Sequence, residues 1–375
     1  MRIECLFRSA VGRSEKCVED SGGVQPRQEN SAECGTKSQH RLNSSGLRTR
    51  TALGLRLWNV LAYAFPMRYV LGFDGGGTKT DCVLMDETGT ILARSRSGSS
   101  NPTTFGLEAA LAALTVAATE ALRAVGKSEK DVGYFLAGFS GAAEPSMQWA
   151  IKSGLQPKFP NARISVTSDL LLSLGATGEI PSVVVIAGTG SAVLGRNAPV
   201  EVARAGGFGP VIGDPGSAYD IGRKAVAMSF QKHLNSEAFP LGGKILETFQ
   251  CKFDELLDRA RSRPGDIFPK IFPMVATAAE AGDVAARVLL TSAAQDLRDQ
   301  AREVIEKLQL RGSSFFLAKT GGVFDGSAFL NAQFDSMIRE VAPRVRIGPL
   351  PRSVADAAAQ LAREALTHPL VLNES

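Results

Sequence analysis

The 375-residue chain lacks several features that would assign it directly to a class of protein. It has no apolar run of the roughly 18 residues that a membrane-spanning helix needs, and the nearest candidate, at residues 57–66, is short and contains Asn59. It has five cysteines but no CxxC pair, so it shows neither a zinc site nor a disulfide framework. We therefore expect a protein of the reducing cytoplasm that does not act in a membrane.

The chain also lacks an excess of basic charge outside its N-terminal segment. Residues 1–66 hold 10 Lys and Arg against 6 Asp and Glu, which accounts for the whole net charge of +4, and the rest holds 32 of each sign. Because the main part of the chain is electrically balanced, its net charge gives no indication of nucleic acid or of an anionic membrane as a partner.

Residues 1–66 differ from the rest of the chain. They are rich in Ser, Arg, Glu and Gln, and they carry three of the five cysteines. No apolar segment follows the first basic residues, as a secretory signal requires, and six acidic residues argue against a transit peptide. Met67 stands two residues before the first predicted strand. We interpret residues 1–66 as a disordered or untranslated extension, with Met67 as the true start.

From Arg68 onward the pattern predicts two α/β halves. In the first half, three strands form an antiparallel meander, followed by a helix over residues 107–125 and two further strands. The second half opens at Ser182 with two strands around a tight turn, continues through mostly helical sequence, and ends in a strand, a glycine turn and helices. The repetition predicts an internal duplication with a cleft between the halves, where small molecules usually bind.

The segment DGGGTKT, which begins at Asp74, ends the first strand of the first half. Glycine loses more entropy on folding than any other residue, so three in a row indicate that something approaches the backbone closely. Backbone amides that glycine leaves free can point together at an anion, and Thr78 adds a hydroxyl. Asp74 is placed to hold Mg²⁺, through water. A tight hairpin explains this turn alone equally well.

Two further glycine turns follow apolar strands, GTGS at residues 188–191 and TGG at residues 320–322. The first turn is not a P-loop, since no GxxxxGK[ST] occurs and a strand follows it, and the second is not a Rossmann fingerprint, because its third glycine is absent and a strand follows it as well. Three glycine turns that end strands in two halves are hard to explain as hairpins alone. They indicate a phosphate-binding site, with a nucleotide base or ribose near the third turn.

Six stretches together resemble a known family: GFDGGGTKT, SSNPTTFG, VTSD, VIAGTGS, GGFGPVIGDPGSAYDIG and TGGVF. The chain resembles the BadF/BadG/BcrA/BcrD ATPase family of the actin/hexokinase/Hsp70 superfamily, most closely its N-acetylglucosamine and glucosamine kinase branch. The resemblance runs from Tyr69 to Ala365. It implies an α/β fold of two ribonuclease-H-like (actin/hexokinase-type) domains with an interdomain cleft. We expect these at residues 67–180 and 181–352, with a C-terminal helix in residues 353–375 that returns to the first domain.

The resemblance also implies roles for individual residues. Asp169 in VTSD takes the proton from the sugar hydroxyl that attacks the γ-phosphate, although a helix N-cap is the alternative interpretation. Asn101, Gly207 and Asp214 bind the sugar, and turn formation is the alternative for Asn101 and Asp214. The residues expected to bind Mg-ATP are Asp74, Gly75, Gly76, Gly77, Thr78, Lys79, Gly188, Thr189, Gly190, Ser191, Gly321 and Gly322, with Asp74 as the metal ligand.

The chain departs from the family pattern around the expected acceptor site. Pro215 replaces a common glutamate and supplies neither a carboxylate nor an N–H. Asp220 stands where an aromatic residue is common, and Phe208 stands where tryptophan is common. We assign Phe208 no role. These departures leave the identity of the sugar open more than the use of ATP.

The leading hypothesis is an ATP- and Mg²⁺-dependent sugar kinase that phosphorylates the 6-hydroxyl of N-acetylglucosamine or glucosamine. A homodimer is a further expectation, taken from similar proteins. One alternative is an activator ATPase of a CoA-ester reductase or dehydratase, which would need cluster-ligating thiolates; outside residues 1–66 only Cys82 and Cys251 are available. The other is a sugar- or nucleotide-binding regulator that has lost catalysis, an alternative that Pro215 and Asp220 keep open.

Overall fold

The computed structural model describes residues 68–139, 142, 144–198 and 201–368. The expectations for residues 1–66 and for Met67 lie outside this range. The described chain forms two five-stranded sheets. The strands of the first sheet are β1 (Tyr69–Gly75), β2 (Thr80–Asp86), β3 (Ile91–Ser97), β4 (Val132–Phe139) and β5 (Arg163–Thr167). Those of the second are β6 (Ser182–Ala187), β7 (Ser191–Arg196), β8 (Val202–Gly206), β9 (Phe316–Thr320) and β10 (Arg346–Pro349).

Helices connect and cover the two sheets. They are α1 (Pro102–Phe105), α2 (Leu107–Arg123), α3 (Pro145–Leu155), α4 (Asp169–Ala176), α5 (Ala218–Leu234), α6 (Pro240–Phe249), α7 (Phe253–Ser262), α8 (Pro264–Glu280), α9 (Val284–Lys307), α10 (Gly322–Gly326), α11 (Ala328–Val341) and α12 (Val354–Glu364). In the part of the chain that is described, no helix has the combination of length and apolar character that crossing a membrane requires.

The two sheets have the same topology. The strand order is β3-β2-β1-β4-β5 in the first and β8-β7-β6-β9-β10 in the second. In each, the first three strands form an antiparallel meander and the last two pair in parallel. This repeat confirms the predicted α/β fold of two similar halves. The short edge strands β8 and β10 were not predicted, because each has only a few residues and contains an arginine.

Large aromatic and aliphatic side chains fill the core on one face of the first sheet. Phe73 of β1 stacks on Phe135 of β4 with ring centroids 4.3 Å apart, and Phe159 packs against Phe135 at 5.1 Å. The larger core of the second half is built mainly from helices, and the long helix α9 contributes Leu297 and Val304 to it. These two cores hold the strand ends, and hence the glycine turns, in fixed positions.

Helix α4 lies between the two sheets. Its Leu170, Leu171 and Leu174 belong to a buried cluster with strand residues of the second sheet. On the side of the first sheet, a Cβ atom on Gly138 of β4 would lie 2.3 Å from Leu172 Cδ1. Because α4 contacts both sheets, its first residue, Asp169, is held in relation to both halves of the protein.

The last helix, α12, packs on β1 at a glycine. A Cβ atom on Gly72 would lie 2.1 Å from the backbone nitrogen of Ala359 and 2.7 Å from the carbonyl oxygen of Ala355. The absence of a side chain at position 72 therefore sets how closely the helix approaches the sheet. This contact returns the C-terminal part of the chain to β1, the strand that contains Asp74.

We predict that Gly72→Ala destabilises the protein by about 1–3 kcal/mol, the usual cost of forcing extra atoms into a packed interior. The added methyl group must push α12 away from β1. Urea unfolding gives the free energy of unfolding, and Gly243→Ala on α6, where a Cβ would meet no atom within 4 Å, is the control. Equal stability of the two variants would contradict this account of the α12 contact.

Candidate active site

The carboxyl ends of β1, β4 and β5 meet at one edge of the first sheet, because these three strands run parallel. Asp74 pairs with Gly138 near the ends of β1 and β4. A Cβ on Gly138 would lie 2.9 Å from the carbonyl oxygen of Ser168, so the start of α4 lies against the end of β4. Asp74 and Asp169, the predicted metal ligand and the predicted base, therefore lie at the same edge of one sheet.

The turn between β1 and β2 forms as predicted, and the N–H of Gly76 donates to the carbonyl of Lys79 over 2.8 Å. Two serines that sequence analysis missed support it. Ser99 Oγ donates to the carbonyl of Gly76 over 2.9 Å, and a Cβ on Gly75 would lie 2.2 Å from Ser100 Oγ. In the sequence, these serines could be noticed because they directly precede Asn101. Their contacts bring Asn101 close to the first glycine turn.

Asn101 caps the short helix α1. Its Oδ1 accepts hydrogen bonds from the backbone N–H groups of Thr103 at 3.0 Å and Thr104 at 3.3 Å. The turn-forming interpretation of Asn101 is therefore confirmed. Among the described residues its Nδ2 has no hydrogen-bond partner, so the same side chain retains two N–H donors for a ligand.

Asp74 carries a carboxylate that is costly to keep charged. Its pKa is raised to about 6, mainly by burial and also by the nearby Asp81, while Lys79 opposes the shift. Lys79 itself pairs with Asp81 at 2.8 Å, so its ammonium is engaged inside the turn region. Asp74 also borders a cavity of about 460 Å³ between β2, β3 and the start of α12. A partly buried carboxylate beside open space suits a bound cation.

Asp169 is the first residue of α4 and not its cap. The cap is Ser168, whose side chain accepts from the N–H of Leu171. The N-cap interpretation of Asp169 is therefore wrong by one residue. Asp169 Oδ1 accepts from the N–H of Leu170 over 2.9 Å. The side chain is only partly buried, at the end of a helix that packed residues hold firmly.

The second and third glycine turns lie next to each other at the corresponding edge of the second sheet, where the parallel strands β6 and β9 end. Gly321 has a φ of +105°, and a Cβ there would lie 2.4 Å from the carbonyl oxygen of Ala187. Only glycine meets both constraints. The structure thus joins the predicted nucleotide residues of these two turns into one group.

The turn at residues 188–191 has one exposed hydroxyl and one buried hydroxyl. Its backbone closes through the N–H of Gly188, which donates to the carbonyl of Gly190 over 2.9 Å. Thr189 is exposed, whereas Ser191 is buried and its Oγ donates to the carbonyl of Pro215 over 2.8 Å. Thr189 is therefore accessible to a ligand, and the Ser191 hydroxyl is used within the protein.

Asp214 lies against this same turn. Its carboxylate is 9% exposed, its Oδ1 accepts from the N–H of Gly209 over 3.1 Å, and a Cβ on Gly190 would lie 2.5 Å from its Oδ2. Burial raises the pKa of Asp214, and the N–H of Gly209 opposes that shift. Gly207, with a φ of +74°, donates its N–H to the carbonyl of Ser191 over 2.9 Å. The predicted sugar residues Asp214 and Gly207 thus connect the acceptor loop, residues 206–217, to the turn at 188–191.

Six of the seven glycines in the three turns fall into two groups, and Gly76 is intermediate, with a Cβ that would lie 3.4 Å from the carbonyl oxygen of Lys79. Gly75, Gly190 and Gly321 are needed inside the protein, because a Cβ at each would collide with neighbouring atoms. At Gly77, Gly188 and Gly322 a Cβ would meet no atom within 4 Å, and none of these three has a positive φ. Neither packing nor backbone conformation requires glycine at the second group, so the bare backbone there is open to a ligand.

The two departures near α5 contribute to structure. Burial alone would raise the pKa of Asp220, but hydrogen bonds from Lys224 and Arg223 outweigh burial and lower it. The Oδ2 of Asp220 also accepts from the N–H of Gly216 over 3.2 Å. Pro215 supplies its carbonyl, which accepts from Ser191 and from Gln300. Asp220 is thus committed to fixing the start of α5.

Gln300 on α9 was also missed by sequence analysis. Its Nε2 donates to the carbonyl of Pro215 over 2.9 Å. The signal was available, because Gln300 lies three residues after Leu297 and seven after Ala293, on the stripe of α9 that is otherwise made of buried apolar residues.

The described cysteines do not form a cluster site. Cys82 is buried in β2, and Cys251 is partly buried between α6 and α7. Burial raises the pKa of the Cys82 thiol far above its ordinary value, which disfavours the thiolate that binds metal. Within the described residues no three His, Cys, Asp or Glu side chains group as metal ligands.

Comparison with known proteins places these features in a family. The model of the BadF/BadG/BcrA/BcrD ATPase family matches residues 71–358. The chain belongs to the BadF/BadG/BcrA/BcrD ATPase family. It is 30% identical over 304 residues to an N-acetylmuramic acid/N-acetylglucosamine kinase of Clostridium acetobutylicum, covering 79% of this chain and 99% of that protein. It is also 30% identical to an N-acetyl-D-glucosamine kinase of Dictyostelium discoideum, over 74% of this chain and 92% of that protein.

A crystal structure described as a candidate N-acetylglucosamine kinase of Chromobacterium violaceum has the same fold as this BadF/BadG/BcrA/BcrD-family protein. Its TM-score is 0.65 at 24% identity, and the match covers 79% of this chain and 99% of that chain. The predicted family, its amino-sugar kinase branch and the fold are therefore confirmed.

The donor set fits a hydrated Mg²⁺ bound together with phosphates. Mg²⁺ is usually held by one or two carboxylates, by water and by substrate phosphates, so a cage of several acidic side chains is not needed. Asp74 supplies one carboxylate with open space beside it, and the open backbone at Gly77 follows three residues later. When bound, the ion would neutralise phosphate charge, and Asp74 would be the residue that holds it.

We predict that Asp74→Asn stabilises the chain in the absence of ligands. The folded state binds the Asp74 proton more tightly than the unfolded state does, so the stability of the wild type is lost as pH rises from about 4 through about 6. Two pKa units correspond to up to about 3 kcal/mol. The variant should gain this amount at pH 8 in EDTA and much less at pH 4.5.

Urea unfolding at both pH values tests this prediction. Asp258→Asn, at an exposed position of α7, is the matched control and should show little difference between the two pH values. A stability gain by Asp74→Asn that is equal at pH 4.5 and pH 8 would contradict the assigned cost of the buried carboxylate.

Proposed function

We propose that the chain is an ATP-dependent kinase that phosphorylates the 6-hydroxyl of N-acetylglucosamine or glucosamine. The observation that carries the proposal is the open backbone at Gly77, Gly188 and Gly322, one glycine in each of three turns at the ends of strands. The names of the two curated relatives, an N-acetylmuramic acid/N-acetylglucosamine kinase and an N-acetyl-D-glucosamine kinase, support the class of acceptor.

The phosphates of ATP would lie between the first two turns. The exposed hydroxyls of Thr78 and Thr189 are suitable donors for phosphate oxygens, and Asp74 would hold Mg²⁺. The third turn, with Gly321 and Gly322 beside the second, would accept the nucleoside part of ATP. Phosphoryl transfer needs positioning and charge neutralisation more than covalent chemistry from the protein, and such a site supplies both.

Asp169 is proposed as the general base. Its position at the start of α4 supports this role, because Ser168 caps the helix and the leucines of α4 pack on the second sheet. The carboxylate is thereby held at the sheet edge that also carries Asp74. Its task would be to accept the proton of the 6-hydroxyl as that oxygen attacks the γ-phosphate.

The acceptor would be held by groups from both halves. Asn101 offers its Nδ2 to sugar hydroxyls while its Oδ1 caps α1. In the acceptor loop, the carboxylate of Asp214 is already bonded to the N–H of Gly209, so we propose that Asp214 fixes the loop around the sugar as well as contacting it. We propose ATP, Mg²⁺ and the sugar as the ligands, and the cytoplasm as the location.

The two alternatives have less support. An activator ATPase would need surface thiolates for its cluster, whereas Cys82 is buried in a strand. A regulator without catalysis was suggested by the departures at Asp220 and Pro215. Asp220 is engaged in ion pairs with Arg223 and Lys224, and Pro215 uses its carbonyl within the protein. Neither residue removes a group that the proposed chemistry requires.

We predict that Gly77→Ala, Gly188→Ala and Gly322→Ala fold normally but bind nucleotide poorly. Alanine meets no atom at these positions, and it lowers the entropy of the unfolded chain, which stabilises by about 0.4–1 kcal/mol. A methyl group on the backbone that would face the phosphates, at Gly77 and Gly188, or the nucleoside, at Gly322, should weaken binding of the ATP analogue AMPPNP at least ten-fold, about 1.4 kcal/mol.

Calorimetric titration with Mg-AMPPNP and urea unfolding measure the two effects of these glycine substitutions separately. Gly243→Ala, equally open but on α6, should leave the affinity unchanged. If all three turn variants bound AMPPNP as tightly as the wild type, the open glycines would not be the phosphate site.

We predict that ADP release with Mg-ATP is strongly stimulated by one amino sugar and that Asp169→Asn removes about 10²–10⁴-fold of the turnover, the usual contribution of a general base. The sugars to compare are N-acetylglucosamine, glucosamine, N-acetylmuramic acid, N-acetylmannosamine and glucose, with a sample without sugar. Sugar binding should survive the substitution.

Asp283→Asn, at the cap of α9, is a control for replacement of an aspartate at a helix start. Full activity of Asp169→Asn would exclude this residue as the base. Sugar binding without stimulated ADP release in the wild type would instead favour the regulator.

A further inference from the structure

The acceptor loop, residues 206–217, is fastened to the nucleotide turn at residues 188–191 at both of its ends. At its start, the N–H of Gly207 donates to the carbonyl of Ser191 over 2.9 Å. Directly after its end, the N–H of Ala218 donates to the carbonyl of Gly188 over 2.8 Å. Any change in the position of the turn is therefore transmitted to both ends of the loop.

The tip of the same loop is exposed, although Asp214 and Pro215, nearer its end, contact the turn. Val211 and Ile212 are 87% and 84% exposed, and Phe208 is 67% exposed. Three glycines with positive φ, at positions 206, 207 and 209, precede this exposed stretch. The loop thus combines fixed ends with a tip whose position depends on how those ends are held.

The side chain of Gln300 on α9 lies beside both the turn and the loop. It is 7% exposed, and its Nε2 lies 2.9 Å from the carbonyl oxygen of Pro215 and 3.5 Å from Ser191 Oγ. Ser191 Oγ donates to the same carbonyl over 2.8 Å. Because a carbonyl oxygen can only accept, the amide nitrogen of Gln300 must be the atom beside it.

The amide oxygen of Gln300 shows that packing alone does not explain why a glutamine stands at this position. Its Oε1 is buried and has no hydrogen-bond partner among the described residues. It lies where a Cβ on Gly206 would stand, at 1.9 Å. An apolar side chain of the same length would avoid burying an unsatisfied oxygen. The amide is therefore explained by the bonds of its nitrogen.

We propose that Gln300 is a positioning residue that couples nucleotide binding at the turn to sugar binding by the acceptor loop. This inference rests on the proposed kinase function. Gln300 holds the turn, through Ser191, and the loop, through Pro215, to one rigid helix, so ordering of either segment orders the other. Coupling of this kind is reciprocal: AMPPNP and sugar tighten each other's binding by the same factor, which is typically 5–150-fold.

The test measures binding, so that it does not depend on turnover. The dissociation constant of Mg-AMPPNP is determined by calorimetry with and without saturating N-acetylglucosamine, in the wild type and in Gln300→Met, which keeps the length and removes the amide. Gln295→Met, an exposed glutamine on the same helix, is the matched control. Urea unfolding verifies that each variant is folded, and Gln300→Leu, which has no group that can donate to the Pro215 carbonyl, provides a second variant.

We expect the coupling factor to be at least five-fold in the wild type and in Gln295→Met, and to fall below two-fold in both Gln300 variants. The affinity for AMPPNP alone should change less than three-fold. Hydrogen exchange adds a measurement without sugar: AMPPNP should protect the amides of residues 206–217 in the wild type but not in Gln300→Met.

The failures of this inference and of the proposed function are distinguishable. A wild type that binds neither AMPPNP nor any amino sugar refutes the kinase. Coupling that persists in the Gln300 variants, loop protection that persists in them, or a wild type that binds both ligands without coupling refutes the role of Gln300.

Discussion

The site depends on one constraint, the parallel pairing of strands that lie far apart in the sequence of each half. Parallel pairing of β1, β4 and β5 brings their carboxyl ends to a single edge, and β6 and β9 do the same in the second sheet. Without it, Asp74 and Asp169, which are 95 positions apart in the chain, would have no reason to be neighbours. The glycine turns can form a site together with these carboxylates only because the pairing brings the strand ends to the same edge.

The two sheet edges must also be held relative to each other, and helices do this. Helix α4 begins at Asp169 beside the first sheet and buries its leucines against the second. Helix α12 fits into the space that Gly72 leaves over β1. In the second half, α9 supports the junction of the turn and the acceptor loop. The residues that would touch ligands are thus mostly backbone or short side chains, and buried helices determine where they lie.

Much of this arrangement could be predicted from the sequence, because it follows from local patterns. The meanders, the long α9 and the three glycine turns have period, length and turn chemistry that one segment reveals by itself. The short edge strands β8 and β10 could not be predicted, since four or five residues with an arginine carry little periodic signal. The cap of α4 was misassigned because Ser168 and Asp169 are both good caps, and only the backbone distinguishes them.

The uses of individual polar groups were the least predictable part. Ser191 appeared as a phosphate ligand and Asp220 as a change at the acceptor, yet both bond within the protein. Their partners, Pro215 and Lys224, are recognisable only once the loop and helix are folded. Family resemblance pointed to a region of the chain in each case, but it could not say which hydroxyl or carboxylate bonds within the protein.

The open glycines have a consequence for protein engineering. A programme that ranks substitutions by folding free energy alone would favour alanine at Gly77, Gly188 and Gly322, where the new methyl group meets nothing and the unfolded chain loses freedom. The resulting thermostable enzyme would carry methyl groups on the backbone that we propose to face the nucleotide. Gly243 on α6 is equally open but lies outside the proposed site, so the proposed site, and not the free space alone, identifies the glycines that a designer should leave unchanged.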